Sequence, residues 1–160
     1  MTNKTIVMGI GNPLLQDDRA GLEVVQRIAR MNLPVDTEEL YTVGFDVMDK
    51  LMGYEQAFVV DSCCLGHKPG TILHVSIDDI FSSKELTNSH AVTLGATLKT
   101  GYELFSDEMP KELTIILIEI EKIEEFTDVM CPSVEKAVQE TVCMLHERIK
   151  NSVAACLATA

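Results

Sequence analysis

Three apolar, β-branched runs punctuate this chain: "TIVMGI" from Thr5, "QAFVVD" from Gln56 and "LTIILIEI" from Leu113. Each is far shorter than the ~20 residues a membrane helix needs. Each is also too continuous for a strand with one wet face, so each reads as a strand buried on both sides. Between them the spacing turns helical. Leu22, Val25, Ala29 and Leu33 recur at that period until Pro34, and "DVMDKLMGYE" is a short helix closed by Gly53. Ala91, Leu94, Leu98, Tyr102 and Phe105 form a further stripe, and Val134, Ala137, Val138, Val142, Leu145 and Ile149 another after Pro132. "DTEELYTV" supplies one more strand. Strands alternating with helices predict an α/β fold in three layers: a mostly parallel five-stranded sheet with helices on both faces. One link departs from the pattern. Only nine residues separate Asp61 from Thr71, too few for a helical crossover, so "TILHVSI" (Thr71–Ile77) is expected to return antiparallel. The region 78–89 reads as polar connection. Residues 1–160 read as a single domain, and 151–160 as a weakly ordered tail.

At 160 residues such a domain buries roughly 70% of its unfolded surface and needs no disulfides to hold it. The five cysteines (Cys63, Cys64, Cys131, Cys143, Cys156) are odd in number and lack C-x-x-C spacing. With no export signal in "MTNKTIVMG", they read as reduced thiols in a cytoplasmic protein. Acidic residues outnumber basic ones 25 to 13, a net charge of −12. That surface repels nucleic acid, and no run is long enough for a membrane, so a protein partner or a cation is the better match. A monomer is expected.

The chemistry concentrates where the first strand ends, in "GIGNPLLQDDRAG". A glycine turn between a strand and a helix suggests a phosphate cradle, but the dinucleotide pattern needs a third glycine where Leu14 stands. Pro13 removes an amide donor, and Asp17 and Asp18 bring negative charge to the place of the phosphate. Asp17 reads as a cap for the following helix or as part of a site. Asp61 ends the central strand at the sheet edge where α/β proteins bind ligands, which makes it either a turn residue or a partner of Asp18. His90 opens a helix, as a surface residue or as a third ligand. Asp/Asp/His is a set suited to nickel, zinc or manganese. Cys63 and Cys64 point in opposite directions on a strand end and read as packing residues. His67 and His74 lack ligand-spaced partners, and His74 is placed on the solvent face of its strand.

These residues also resemble a family, the hydrogenase maturation endopeptidases that trim the large subunit of [NiFe] hydrogenases. "GIGNPLLQDDRAGLEVV" resembles the family's opening motif, "FVVDSC" with the later "PGT" its central strand and turn, and "SHAVTL" its histidine-bearing helix start. "PKELTIILIEIE" and "CPSVEKAV" resemble its last strand and closing helix. The resemblance implies a hydrolase that cuts a C-terminal extension from the precursor of the large subunit, its protein partner. It implies metal ligation by Asp18, Asp61 and His90, toward nickel carried by that precursor rather than a resident cofactor. It also suggests Asp18 or Asp61 as the catalytic carboxylate of an aspartic-type endopeptidase, with the choice between them open, as is the alternative that both are only ligands. Arg19 departs from the glycine that many members carry, and "TVGFD" has one glycine where many have several. Two other readings compete: a metal-sensing chaperone that docks without cutting, and a peptidyl-tRNA hydrolase-like enzyme suggested by "GIGNP". The latter expects a basic RNA-binding face, which the net charge opposes.

Overall fold

The computed structural model describes residues 4–87, 89, 91–121 and 126–159. In chain order the elements are β1 (Thr5–Ile10), a 3-10 turn (Gln16–Arg19), α1 (Ala20–Ala29), β2 (Asp36–Leu40), α2 (Phe45–Leu51), β3 (Gln56–Cys63) and β4 (Ile72–Val75). There follow α3 (Ile77–Ser82), α4 (Lys84–Thr87), α5 (Ala91–Leu104), β5 (Glu112–Glu119) and α6 (Pro132–Ala158). The five strands form one sheet in the order β2-β1-β3-β5-β4. β1, β2, β3 and β5 are mutually parallel, and β4 alone runs antiparallel, against β5. The short link after Asp61 thus does what its length dictated.

Alternation along the central strands divides the core in two. Met8, Ala57, Val59, Ile115 and Leu117 face α2, α3, α4 and α5. Val7, Phe58, Val60, Ile116 and Ile118 face α1 and α6. Every residue of the closing-helix stripe, from Val134 to Ile149, is buried there. This is the three-layer arrangement expected of continuous apolar strands.

Four local expectations are corrected. α1 stops at Ala29, which is exposed, because the chain reverses through Asn32 at φ 50°. Leu33 therefore packs on the core from beyond the helix. Phe105 likewise lies just past the end of α5, and is 37% exposed. The polar region 78–89 carries two short helices. Its first is secured by a reciprocal cap in which the Ser76 hydroxyl accepts the Asp79 N–H and the Asp79 carboxylate accepts the Ser76 N–H. Finally, residues 151–158 are not a loose tail but the last two turns of α6. Extending an existing helix needs no new nucleus, and Ala154, Ala155 and Leu157 are strong helix formers.

In the strand order, the connections from β1 leave toward β2 on one side while β3 lies on the other. This is the switch point of a doubly wound sheet, where a crevice opens at the carboxyl ends of the strands. The turn after β1 and the end of β3 both lie there.

Candidate active site

The first turn is built by backbone touching backbone. A Cβ added to Gly9 would fall 2.2 Å from the Gly21 carbonyl oxygen, and one on Gly11 2.2 Å from that of Asp18. One on Gly21 would fall 2.4 Å from the carbonyl oxygen of Val60 and 2.5 Å from that of Ile10. No side chain fits at any of these, so glycines let α1 and the 3-10 turn lie directly on β1 and β3. Asn12 closes the turn by accepting the Leu14 N–H with its side chain at 3.0 Å. Its own N–H donates to Asp18 Oδ2 at 3.2 Å. The amide that would meet a phosphate is thus directed at an internal carboxylate.

Asp61 and Ser62 occupy consecutive positions near the end of β3, so their side chains leave opposite faces of the sheet. Ser62 Oγ donates to Asp18 Oδ1 at 2.6 Å, and Ser62 N–H donates to Asp61 Oδ1 at 2.8 Å. The two carboxylates called from sequence are therefore brought together, and a single residue touches both. Asp61 is 7% exposed. Burial pushes its carboxyl up to about 7, the Ser62 N–H opposes this, and the negative charge of Asp18 adds to it. A carboxyl with that value exchanges protons near neutrality, as a base acting on water must.

His90 lies outside the described residues. Among the described residues no cluster of three or more His, Cys, Asp or Glu side chains is arranged to hold a metal. Asp18 and Asp61 supply two oxygen-bearing groups, to which a nickel site would have to add further ligands.

The other acidic residue of the pair has a separate task. Asp17 is buried and accepts the backbone N–H of Cys131, the residue preceding α6, at 2.8 Å. It caps no helix of its own segment, since neither the 3-10 turn nor α1 has a side-chain cap. Arg19 donates to the Asp128 carbonyl, so the residue that departs from the family pattern ties the first turn to the approach to α6. Cys63 is buried and its thiol donates to Glu119 Oε2 at 3.3 Å. Burial, the bond to Glu119 and nearby negative charge push that thiol far above its ordinary value. It is a packing residue, as expected, whereas Cys64, expected to pack likewise, is instead exposed, lying just past the end of β3. No disulfide joins any of the five cysteines, all of which are described. His74 is exposed, and His67 approaches Glu85 at 3.6 Å.

Two residues here escaped the sequence reading. Ser62 lies inside "FVVDSC" and carries no signal by itself. Glu119 did carry one, being the single charge in "LTIILIEI". It is 1% exposed. Its carboxylate accepts the N–H groups of Leu65 and Gly66 at 2.8 and 2.9 Å, and so shapes the loop that leaves Asp61.

The family model for HycI, described as hydrogenase maturation protease, matches residues 23–148. The chain belongs to the hydrogenase maturation protease family. The hydrogenase 2 maturation protease of Escherichia coli is 23% identical over 154 residues, 90% of this chain and 92% of that one. A Methanocaldococcus jannaschii protein described as a hydrogenase maturation protease is 33% identical over 100 residues. That match spans 59% of this chain and 64% of the relative. Among solved structures, the E. coli hydrogenase maturating endopeptidase HybD superposes with a TM-score of 0.71 at 22% identity, covering 93% of both chains. The [NiFe] hydrogenase maturation protease HybD of Thermococcus kodakarensis gives 0.69 at 23% identity, covering 91% of this chain and 99% of that one. The maturation proteases therefore share this five-stranded fold with the chain. Membership also disposes of the peptidyl-tRNA hydrolase alternative.

Proposed function

We propose that this protein removes the C-terminal extension of a nickel-loaded [NiFe] hydrogenase large-subunit precursor, with Asp18 and Asp61 as the acting carboxylates. The observation that carries the reading is the meeting of those two carboxylates at the switch point of a sheet whose family is that of maturation proteases. In this reading Asp61 takes a proton from the attacking water, because its carboxyl titrates near 7. Asp18, fixed on both oxygens by Ser62 and Asn12, is the ligand side of the site, and His90 is the third ligand. The nickel belongs to the substrate, where it supplies the Lewis acid that polarises the scissile carbonyl. An unloaded precursor would lack that group, so order of assembly follows from the chemistry.

The test is incubation with nickel-loaded and nickel-free precursor, followed by intact-mass measurement. Loss of the C-terminal peptide from the loaded form alone is expected. Stable association without a mass change would instead mean a docking chaperone, and equal cleavage of both forms would remove nickel from the reading.

A further inference from the structure

Taking that reading of Asp18 and Asp61 as the acting carboxylates, we infer that Ser62 is the positioning residue that sets the distance and orientation between them. The argument rests on which atoms of Ser62 go where. Its backbone N–H is spent on Asp61 Oδ1 at 2.8 Å, and its hydroxyl on Asp18 Oδ1 at 2.6 Å. Strand alternation sends the Ser62 side chain to the face of α1, the side from which the 3-10 turn presents Asp18, while Asp61 points to the opposite face. Two like charges at one sheet edge repel. A short O–H···O bond to a carboxylate is among the stronger hydrogen bonds available to a side chain, and this one opposes that repulsion. Asp18 Oδ2 is held by the Asn12 N–H, a backbone contact that no side-chain substitution at position 62 removes. Loss of the hydroxyl therefore frees one oxygen of Asp18 while leaving its turn in place.

A misplacement of a reacting or ligating group by about 1 Å costs on the order of a hundredfold in rate. Replacing Ser62 should act on the chemical step rather than on docking, because its hydroxyl holds the carboxylate of Asp18 while its N–H holds that of Asp61. The experiment compares wild type, Ser62→Ala and Ser62→Thr on nickel-loaded precursor, with kcat and KM measured separately and thermal melts of each protein. Expected is a fall in kcat of about tenfold to a hundredfold for Ser62→Ala, KM within about threefold of wild type, and recovery of most of the rate in Ser62→Thr, which keeps a hydroxyl. Unchanged kcat in Ser62→Ala would overturn the inference, and so would an equal loss in both variants. If wild type itself leaves the loaded precursor uncut, it is the proposed function that fails, a result distinct from any difference among the variants.

Discussion

The carboxylate of Asp17 accepts the backbone N–H of Cys131 at 2.8 Å, joining two segments 114 residues apart. Its neighbour Asp18 faces the other way, into the crevice beside Ser62. Adjacent aspartates thus divide between architecture and chemistry, and substitution should separate them. Asp17→Ala is expected to cost about 1–3 kcal/mol, for the loss of a charged acceptor from the part-buried Cys131 N–H. Asp18→Asn should cost under about 1 kcal/mol in stability while abolishing cleavage. Urea unfolding of both variants, alongside the mass assay, checks the division. An inactive but fully stable Asp17→Ala would reverse it.

The raised carboxyl of Asp61 predicts a pH-dependent stability. Its folded value is about 7, against an ordinary 3.8. Between those values the folded protein keeps a proton that the unfolded chain has lost, so this residue makes the fold more stable as pH falls from 7 toward 4. Above pH 7 the buried charge destabilises in full. Asp61→Asn keeps an oxygen for the Ser62 N–H and drops the charge. The variant should therefore exceed wild type at pH 8 by on the order of 2–4 kcal/mol. The gap should close near pH 4. Chemical denaturation at both ends of that range would detect it, and a wild type more stable than Asp61→Asn at pH 8 would contradict it.

Gly21→Ala should be among the most damaging single substitutions in the protein. The added methyl meets carbonyl oxygens of both Val60 and Ile10, at 2.4 and 2.5 Å. Backbone on two strands would have to move, unlike the case of a flexible neighbour. A loss above about 3 kcal/mol, or failure to accumulate folded protein, is expected. Gly44→Ala meets nothing within 4 Å and serves as the control in the same melting experiment.

Removing Glu119 should reach the site through its loop. Glu119→Ala removes the acceptor of the Leu65 and Gly66 N–H groups and is expected to cost about 1–3 kcal/mol. Glu119→Gln keeps one acceptor oxygen and should cost about half as much. Cys63→Ser, which exchanges one donor to Glu119 for another, should keep cleavage within a few-fold of wild type. Loss of activity in a well-folded Cys63→Ser would give that thiol a role the buried geometry argues against.

The sheet, its single reversed strand and both core faces were legible in the sequence because each rests on spacing. Continuous runs such as Leu113–Ile120 admit few alternatives to a central strand, and nine residues admit no crossover helix. Asp18 and Asp61 were legible because a parallel sheet brings all its strand ends to one edge. What stayed hidden depends on contacts between distant segments. Nothing local in Asp17 announces Cys131, and nothing in Ser62 announces that its neighbour and a residue 44 positions away will meet on it. α3 was hidden for a different reason. Its start is fixed by the Ser76–Asp79 cap and it buries Ile80 alone, whereas apolar periodicity needs more than six residues to show. His90, chosen for its residue type and company, lies outside the described residues.

The contact between the Gly11 position and the Asp18 carbonyl, with only 2.2 Å left for a Cβ, bears on motion as well as shape. With backbone packed against backbone there, and the Gly21 position likewise closed by the Val60 carbonyl, no side chain lies in the joint to change rotamer, and any change in φ or ψ must carry the packed neighbour with it. The turn carrying Asp18 and the strand carrying Asp61 should therefore fluctuate as one stiff body, leaving the carboxylate torsions as the remaining freedom. For the cleavage proposed above, that means the reacting groups wait in position rather than assemble on arrival of the substrate.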